Sequence, residues 1–271
     1  MANQFRGCIF LAAICLFCLL PQRVSAAGTE KVYNLNKKKT VTISNEDSYE
    51  ESGKYTWLKY KASSDGYLKI QVSAPKSEEL EDGRRSAGYI ALYNDTMTRL
   101  LSSKSIFYNT AYSGNKYWGR FFFGMQKGKT YYIRVKAENK VKFTREFKKV
   151  TDKSGSSRKT AKKLNKNKTR TGLIRAGDSK VDWYKIELSK KQKIRIFYTA
   201  RTSGSFRISF YTNKKIIARR NIYNTVDEQK LTLVQYTDSK TKKVGLEKGV
   251  YYIKVERANA LSSGYYKLKW N

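Results

Sequence analysis

The chain has 271 residues, of which 56 are Lys or Arg and 22 are Asp or Glu, giving a formal net charge of +34 with no histidine. Without histidine, and with cysteine only at positions 8, 15 and 18, Ser-His and Cys-His nucleophilic catalysis, imidazole general-base chemistry and ordinary zinc sites are excluded by inventory. A field of this sign attracts polyanions, and the competing reading is a lysine-rich surface that only keeps the chain soluble.

At the N-terminus Arg6 precedes an apolar run from Gly7 to Leu20, which Pro21 closes and Arg23-Val24-Ser25-Ala26 follows. The run is shorter than the roughly 20 residues that span a hydrocarbon core. It predicts a secretory signal peptide over residues 1–26, cleaved after Ala26, with no transmembrane segment left after processing. The three cysteines, Cys8, Cys15 and Cys18, leave with it, as do Arg6 and Arg23, so the net charge becomes +32. A secreted chain without disulfides must be held by hydrophobic cores, which need modules of roughly 100 residues.

A first module is expected over residues 30–148. Leu35 to Thr40 reads LNKKKT and Trp57 to Ala62 reads WLKYKA; next, Leu68, Ile70 and Val72 alternate with Lys69 and Gln71. A polar insertion follows, with the acidic cluster Glu78, Glu79, Glu81 and Asp82. Its spacing lacks the Asp/Asn and Gly pattern of a calcium loop, so it is read as a solvated loop. Gly124 to Ala137 then reads GMQKGKTYYIRVKA. Residues 149–160, small, polar and basic, are expected to form an exposed linker.

A second module is expected over residues 161–271, because the same landmarks return in the same order. LNKNKT begins at Leu164, WYKIEL at Trp183 and GLEKGVYYIKVERA at Gly245, and the Tyr131-Tyr132 pair returns as Tyr251-Tyr252. From Leu35, Trp57 and Tyr131 the offsets are 129, 126 and 120 residues, the signature of a duplicated module with shorter loops in its second copy. Ile194, Ile196 and Tyr198 alternate with Lys193, Arg195 and Phe197, and period-2 alternation is the mark of a half-buried strand. The fold class expected is all-β: two tandem antiparallel β-sandwich, jelly-roll-like modules.

With the apolar set facing each core, the outward set mixes cations with aromatic rings. The candidate ligand-binding residues are Trp57, Lys59, Tyr132 and Arg134 in the first copy, and Trp183, Lys185, Tyr252 and Lys254 in the second. Rings beside cations can stack on sugars while Lys and Arg meet phosphate, sulfate or carboxylate. Against this stands the ordinary need of a strand for polar outer positions and aromatic packing. No catalytic or phosphate-loop motif occurs, and neither metal nor cofactor is expected.

Several pieces together carry a family likeness: Leu164, then Gly172-Leu173-Ile174, Asp178, and Asp182-Trp183-Tyr184-Lys185-Ile186; the hairpin from Ser205 to Ala218; and the ending from Lys248 to Ala258 with Ser263 to Trp270. In order and spacing they resemble the bacterial pre-peptidase C-terminal domain, a β-sandwich related to the collagen-binding domains of clostridial collagenases. The resemblance implies a secreted, non-catalytic accessory module that binds matrix or surface polymers or assists maturation of a hydrolase. Three departures stand out. No catalytic domain precedes the modules in this chain, and Thr56 stands where the second copy has Asp182. The stretch that supplies calcium ligands in the relatives is here the basic segment Ser156 to Lys168. Asp182 is expected to cap a turn and not to hold a metal.

The functional expectation is a secreted binding protein, retained at the cell wall by charge, whose partner is an anionic polysaccharide or teichoic acid. Collagen or another matrix protein, or a separately encoded protease, is the alternative partner, and nucleic acid is expected to bind only nonspecifically.

Overall fold

The computed structural model describes residues 30–44, 56–73, 86–108, 119–137, 140–223, 225–233, 235–236 and 243–271. The expected signal peptide and the Glu78 to Asp82 cluster lie outside the described residues.

The first module contains β1 (Lys31–Asn34), β2 (Thr40–Ile43), β3 (Thr56–Lys61), β4 (Gly66–Ser73), β5 (Ser86–Tyr93), β6 (Ser105–Tyr108), β7 (Gly119–Met125), β8 (Thr130–Ala137) and β9 (Val141–Lys149). The second contains β10 (Lys162–Lys163), β11 (Arg170–Ile174), β12 (Asp182–Leu188), β13 (Ile194–Ser203), β14 (Ser205–Tyr211), β15 (Ile216–Tyr223), β16 (Val226–Leu233), β17 (Gln235–Tyr236), β18 (Lys243–Val244), β19 (Gly249–Arg257) and β20 (Ser263–Trp270).

Each module is a five-stranded sheet packed on a four-stranded one, and the two modules repeat one strand order. The order β1-β3-β8-β5-β6 over β2-β9-β4-β7 returns as β10-β12-β19-β14-β15 over β11-β20-β13-β16, with β17 and β18 as an added ribbon. The expected all-β tandem sandwich is therefore the fold. One detail differs from the expected antiparallel pairing: the edge pairs β1–β3 and β10–β12 are parallel. A strand that crosses from one sheet to the other before the next begins is free to pair in either direction.

The alternation seen in the sequence sorts residues between core and surface. Leu58, Tyr60, Leu68, Ile70, Val72, Ile133 and Val135 fill the first core with Phe107, Phe123 and Phe143. Tyr184, Ile186, Ile194, Ile196, Ile253, Val255, Leu268 and Trp270 fill the second. Transfer of such side chains from water contributes roughly 1.5–3 kcal/mol each.

The modules dock through the outer faces of their four-stranded sheets. Tyr67 and Phe122 of the first meet Leu173 and Tyr265 of the second, with Val150 between them. The Tyr67 and Tyr265 rings stack at 4.1 Å and 17°. Ala176 reaches into the first module's core, and its N–H donates to the Gly124 carbonyl at 2.8 Å. The approach is close enough that a Cβ on Gly124 would lie 2.0 Å from the Ile174 carbonyl oxygen, so glycine is required there. Arg175 Nη1 lies 3.3 Å from Asp65 Oδ2 at the rim.

This docking corrects the expectation of a wholly exposed linker over residues 149–160. Val150 is buried, and Gly155 exchanges both backbone hydrogen bonds with Trp183, at 3.0 and 2.8 Å. Small polar composition signals exposure only where no neighbouring surface takes up the backbone groups.

Candidate functional site

In the first module, β3 and β8 place the four expected residues side by side on the outer face of the five-stranded sheet. Trp57 is opposite Arg134, and Lys59 opposite Tyr132. Strand β5 adds Tyr93 beside Tyr132 and Tyr89 beside Lys136. The rings lock together: Trp57 meets Tyr93 edge-on at 5.2 Å and Tyr132 at 6.3 Å. The cations lie over them, Lys59 Nζ 5.7 Å from the Tyr132 centroid and the Arg134 guanidinium 5.1 Å from that of Tyr93. None of the outward positions on β3, β5 and β8 carries a carboxylate.

This packing changes what the aromatics can do. Trp57 is 4% and Tyr132 9% exposed, so neither offers an open ring for stacking. They form a second apolar layer outside the core, against which the Lys59 ammonium and the Arg134 guanidinium lie. Alternation shows which face a residue takes but not what covers it there.

The second module reproduces the register, with Trp183 opposite Lys254 and Lys185 opposite Tyr252, yet its chemistry differs. Lys185 pairs with Glu187 at 2.9 Å and Lys254 with Glu256 at 2.7 Å. Lys163 also reaches Glu187. Hydrogen bonds from Lys163 and Lys185 hold the Glu187 carboxyl well below the usual range, at about 2. Trp183, Tyr211 and Tyr252 surround the guanidinium of Arg158, with centroids at 5.5, 5.0 and 5.3 Å. Arg158 Nη1 also donates to the Asn213 carbonyl at 3.1 Å. The cage is thus filled from within by a residue of the expected linker.

Asp182 is bonded by side chains of distant elements and not by the backbone of a turn, which corrects the capping expectation. It is fully buried and accepts hydrogen bonds from Ser154 Oγ at 2.7 Å and from the Tyr266 hydroxyl at 2.6 Å. Lys180 Nζ stands 3.4 Å from it and 2.9 Å from Asp152. Burial raises its pKa to about 6 and the Asp152 charge adds to that, while Tyr266, Ser154 and Lys180 pull the other way. Among the described residues, no three His, Cys, Asp or Glu side chains gather as a metal site would require. Also among the described residues, no helix is long and apolar enough to cross a membrane.

Sequence reasoning missed Tyr89, Tyr93 and Arg158. Strand β5 does alternate, Tyr89, Ala91 and Tyr93 against Ile90 and Leu92, and that signal was available behind the polar insertion. Arg158 carries no local signal, since its partners lie 25 or more positions away.

No protein-family model matches the chain, and no curated protein matches it. Solved structures similar to it include the pre-peptidase C-terminal domain of a collagenase from Bacillus anthracis, 15% identical with a TM-score of 0.31, covering 41% of this chain and 93% of that one. Tripeptidyl peptidase 2 is 11% identical with a TM-score of 0.30; the match covers 84% of this chain and spans 22% of that one. The tandem CBM51 modules of a family 98 glycoside hydrolase from Streptococcus pneumoniae are 8% identical with a TM-score of 0.25, covering 79% of each chain. Identities and scores this low say nothing about a ligand, and the chain's own side chains carry the functional reading.

Proposed function

We propose that this is an exported, non-catalytic binding protein that captures an anionic extracellular polymer, a teichoic acid or acidic polysaccharide, on the outer face of the first module's five-stranded sheet. One observation carries the reading: Lys59, Lys61, Arg134 and Lys136 share a face that a locked aromatic layer supports, and the strands β3, β5 and β8 that present it contain no Asp or Glu. Alternation demands polarity outside a strand, but not one sign of charge. A rigid array of cations matches a regularly spaced polyanion, with each contact releasing condensed counterion. The absence of histidine from the chain and of cysteine beyond residue 18 leaves few catalytic devices, in keeping with a binding role.

The test is titration of the chain with teichoic acid, heparin, alginate, DNA and triple-helical collagen at low and physiological salt. Preference for one polyanion that survives physiological salt, with log K falling linearly in log salt, is the expected result. Equal weak binding to every anion, lost at physiological salt, overturns it. Salt-tolerant binding to collagen alone overturns it in favour of a matrix adhesin.

A further inference from the structure

The junction between the modules holds a second concentration of positive charge, in a concave setting. A cleft of about 460 Å³ is lined from the first module by Ser63, Ser64, Asp65 and Lys127, from the connecting segment by Lys149 to Asp152, and from the second module by Leu173, Arg175 and Lys180. A neighbouring cleft of about 310 Å³ is lined by Lys149, Val150, Thr151, Lys153, Thr169, Arg170 and Thr171. The two clefts share Lys149, Val150 and Thr151 and so adjoin one another along the joint, together called the groove below. Each has the size of a small-molecule cleft.

The two carboxylates of the groove are already answered. Asp65 accepts from the Lys127 backbone N–H at 2.7 Å and from Arg175 at 3.3 Å. Asp152 accepts from Lys180 at 2.9 Å. Lys127, Lys149, Lys153 and Arg170 remain with no ion-pair partner among the described residues. Four like charges around a concavity repel one another, and low-dielectric walls focus their field inward. Threonine and serine hydroxyls lie between them, and the floor is the buried pair Val150 and Leu173. On a convex surface the same lysines would be ordinary solubilising groups; here the docked modules hold them around a shared hollow.

We propose that this groove is a binding site for a short run of phosphate, sulfate or carboxylate groups, and that it exists only in the docked tandem. It rests on the polyanion reading for its ligand class, but it places a site away from the sheet face and gives the duplication a use: each module supplies one wall. Gly124 enforces it, because any side chain there meets the Ile174 backbone and parts the walls.

The experiment compares three variants of the full chain against two probes, a glycerol-phosphate oligomer and a short heparin oligosaccharide. They are the groove variant Lys127→Gln/Lys149→Gln/Lys153→Gln/Arg170→Gln, the face variant Lys59→Gln/Lys61→Gln, and Gly124→Ala. The groove variant should lose about tenfold or more of the affinity for at least one probe, with its log K against log salt slope falling by two or more. Gly124→Ala should lose the same binding; should it fail to fold, the groove variant, whose changes are all on the surface, decides alone. Preference for the phosphate oligomer assigns a teichoic-type ligand, and preference for heparin a sulfated or uronic glycan. Unchanged affinity and slope in the groove variant overturn the groove, and if the face variant loses binding in the same experiment the sheet-face reading stands without it. Loss in the groove variant with none in the face variant upholds the groove and overturns the face. Failure of the unmodified chain to bind either probe overturns both.

Discussion

The two five-stranded sheets share strand order and register and differ in what they show to solvent. At the row Trp57–Arg134 the first module has a ring and a cation, and the second has Trp183–Lys254 in the same place. Two residues further along β8 and β19, however, Lys136 corresponds to Glu256, and Lys61 on β3 corresponds to Glu187 on β12. Those two exchanges, with Arg158 folded onto the second aromatic cluster, turn the second face inward upon its own charges, whereas β3, β5 and β8 of the first carry no Asp or Glu. Duplication preserved the positions that build the sandwich, because every core residue is constrained by its neighbours. It left the outward positions free to separate, and those of the second module hold the chain segment that joins the modules.

The largest effect expected from breaking this comparison is on stability. Asp182 and Thr56 occupy equivalent, fully buried places, opposite Val255 and Val135. Asp182→Ala withdraws the acceptor from Tyr266 and Ser154 and a counter-charge from Lys180, and should destabilise the second module by about 2 kcal/mol. Thr56→Ala should cost clearly less. Urea unfolding of each variant checks the difference, and equal losses would break the assigned asymmetry. The same carboxyl makes a pH prediction. Its pKa is higher folded than unfolded, so over the window from the ordinary aspartate range to about 6 the folded chain binds more protons. Stability contributed by Asp182 is therefore full below that window and falls as pH rises through it. Glu146 and Glu187, both shifted down by lysines, work in the opposite direction. The readout is thus the stability of the parent chain minus that of Asp182→Asn, which should be highest at low pH, fall as pH rises through that window and level off above about 6.

How the fold was legible follows from the same comparison. β3, β4, β8, β12, β13 and β19 alternate cleanly, and the repeat of LNKKKT and YYIRVKA as LNKNKT and YYIKVER signals the duplication without any structure. The edge strands β6 and β15 carry exposed Ile106, Tyr108, Ile216 and Tyr223, so their pattern points to no single face. The docking was hidden for a physical reason. Tyr67, Phe122 and Tyr265 sit at outward positions, where an aromatic ring reads the same whether it meets solvent, a ligand or another module. Gly124 reads as one more turn residue before Lys127-Gly128-Lys129, and only the Ile174 carbonyl above it shows its purpose. Likewise the ion pairs of Lys185 and Lys254 with carboxylates two positions on were written in the sequence, but their bearing on a ligand site depends on side chains meeting along one strand face.

A second effect, on binding, sharpens the contrast of the faces. Lys59→Gln/Lys61→Gln and Lys185→Gln/Lys254→Gln remove the same net charge, so affinity for a long polyanion at fixed salt should fall for both. The slope of log K against log salt separates them, since it counts phosphates or sulfates neutralised at the contact. The first pair should lower the slope by about two and the second by about zero, because Lys185 and Lys254 are already engaged by Glu187 and Glu256. Equal slope changes would mean that both faces meet the polymer or that neither does.

The smallest effect concerns Arg158. Its guanidinium is held by three rings and one carbonyl, and it anchors the segment that Gly155 and Ser154 also tie to β12. Partly desolvated cation–π contacts of this kind contribute about 1 kcal/mol, so Arg158→Ala should barely move the unfolding midpoint. Its local consequence is larger, because a segment held at fewer points opens more often than the whole module unfolds. Trypsin should therefore cut at Lys153 or Lys159 several times faster in Arg158→Ala than in the parent chain, with Gly155 and Asp182 still supporting the rest of the second module. Arg158→Lys keeps the charge but loses the planar group that lies against the rings, and should fall between the two. On the proposed reading, in which the polymer meets the first module's face, the polymer slope should not change. Cleavage at the parental rate in Arg158→Ala would show that the backbone pair with Trp183 holds the segment by itself, and that the cage is free to take a cation from elsewhere.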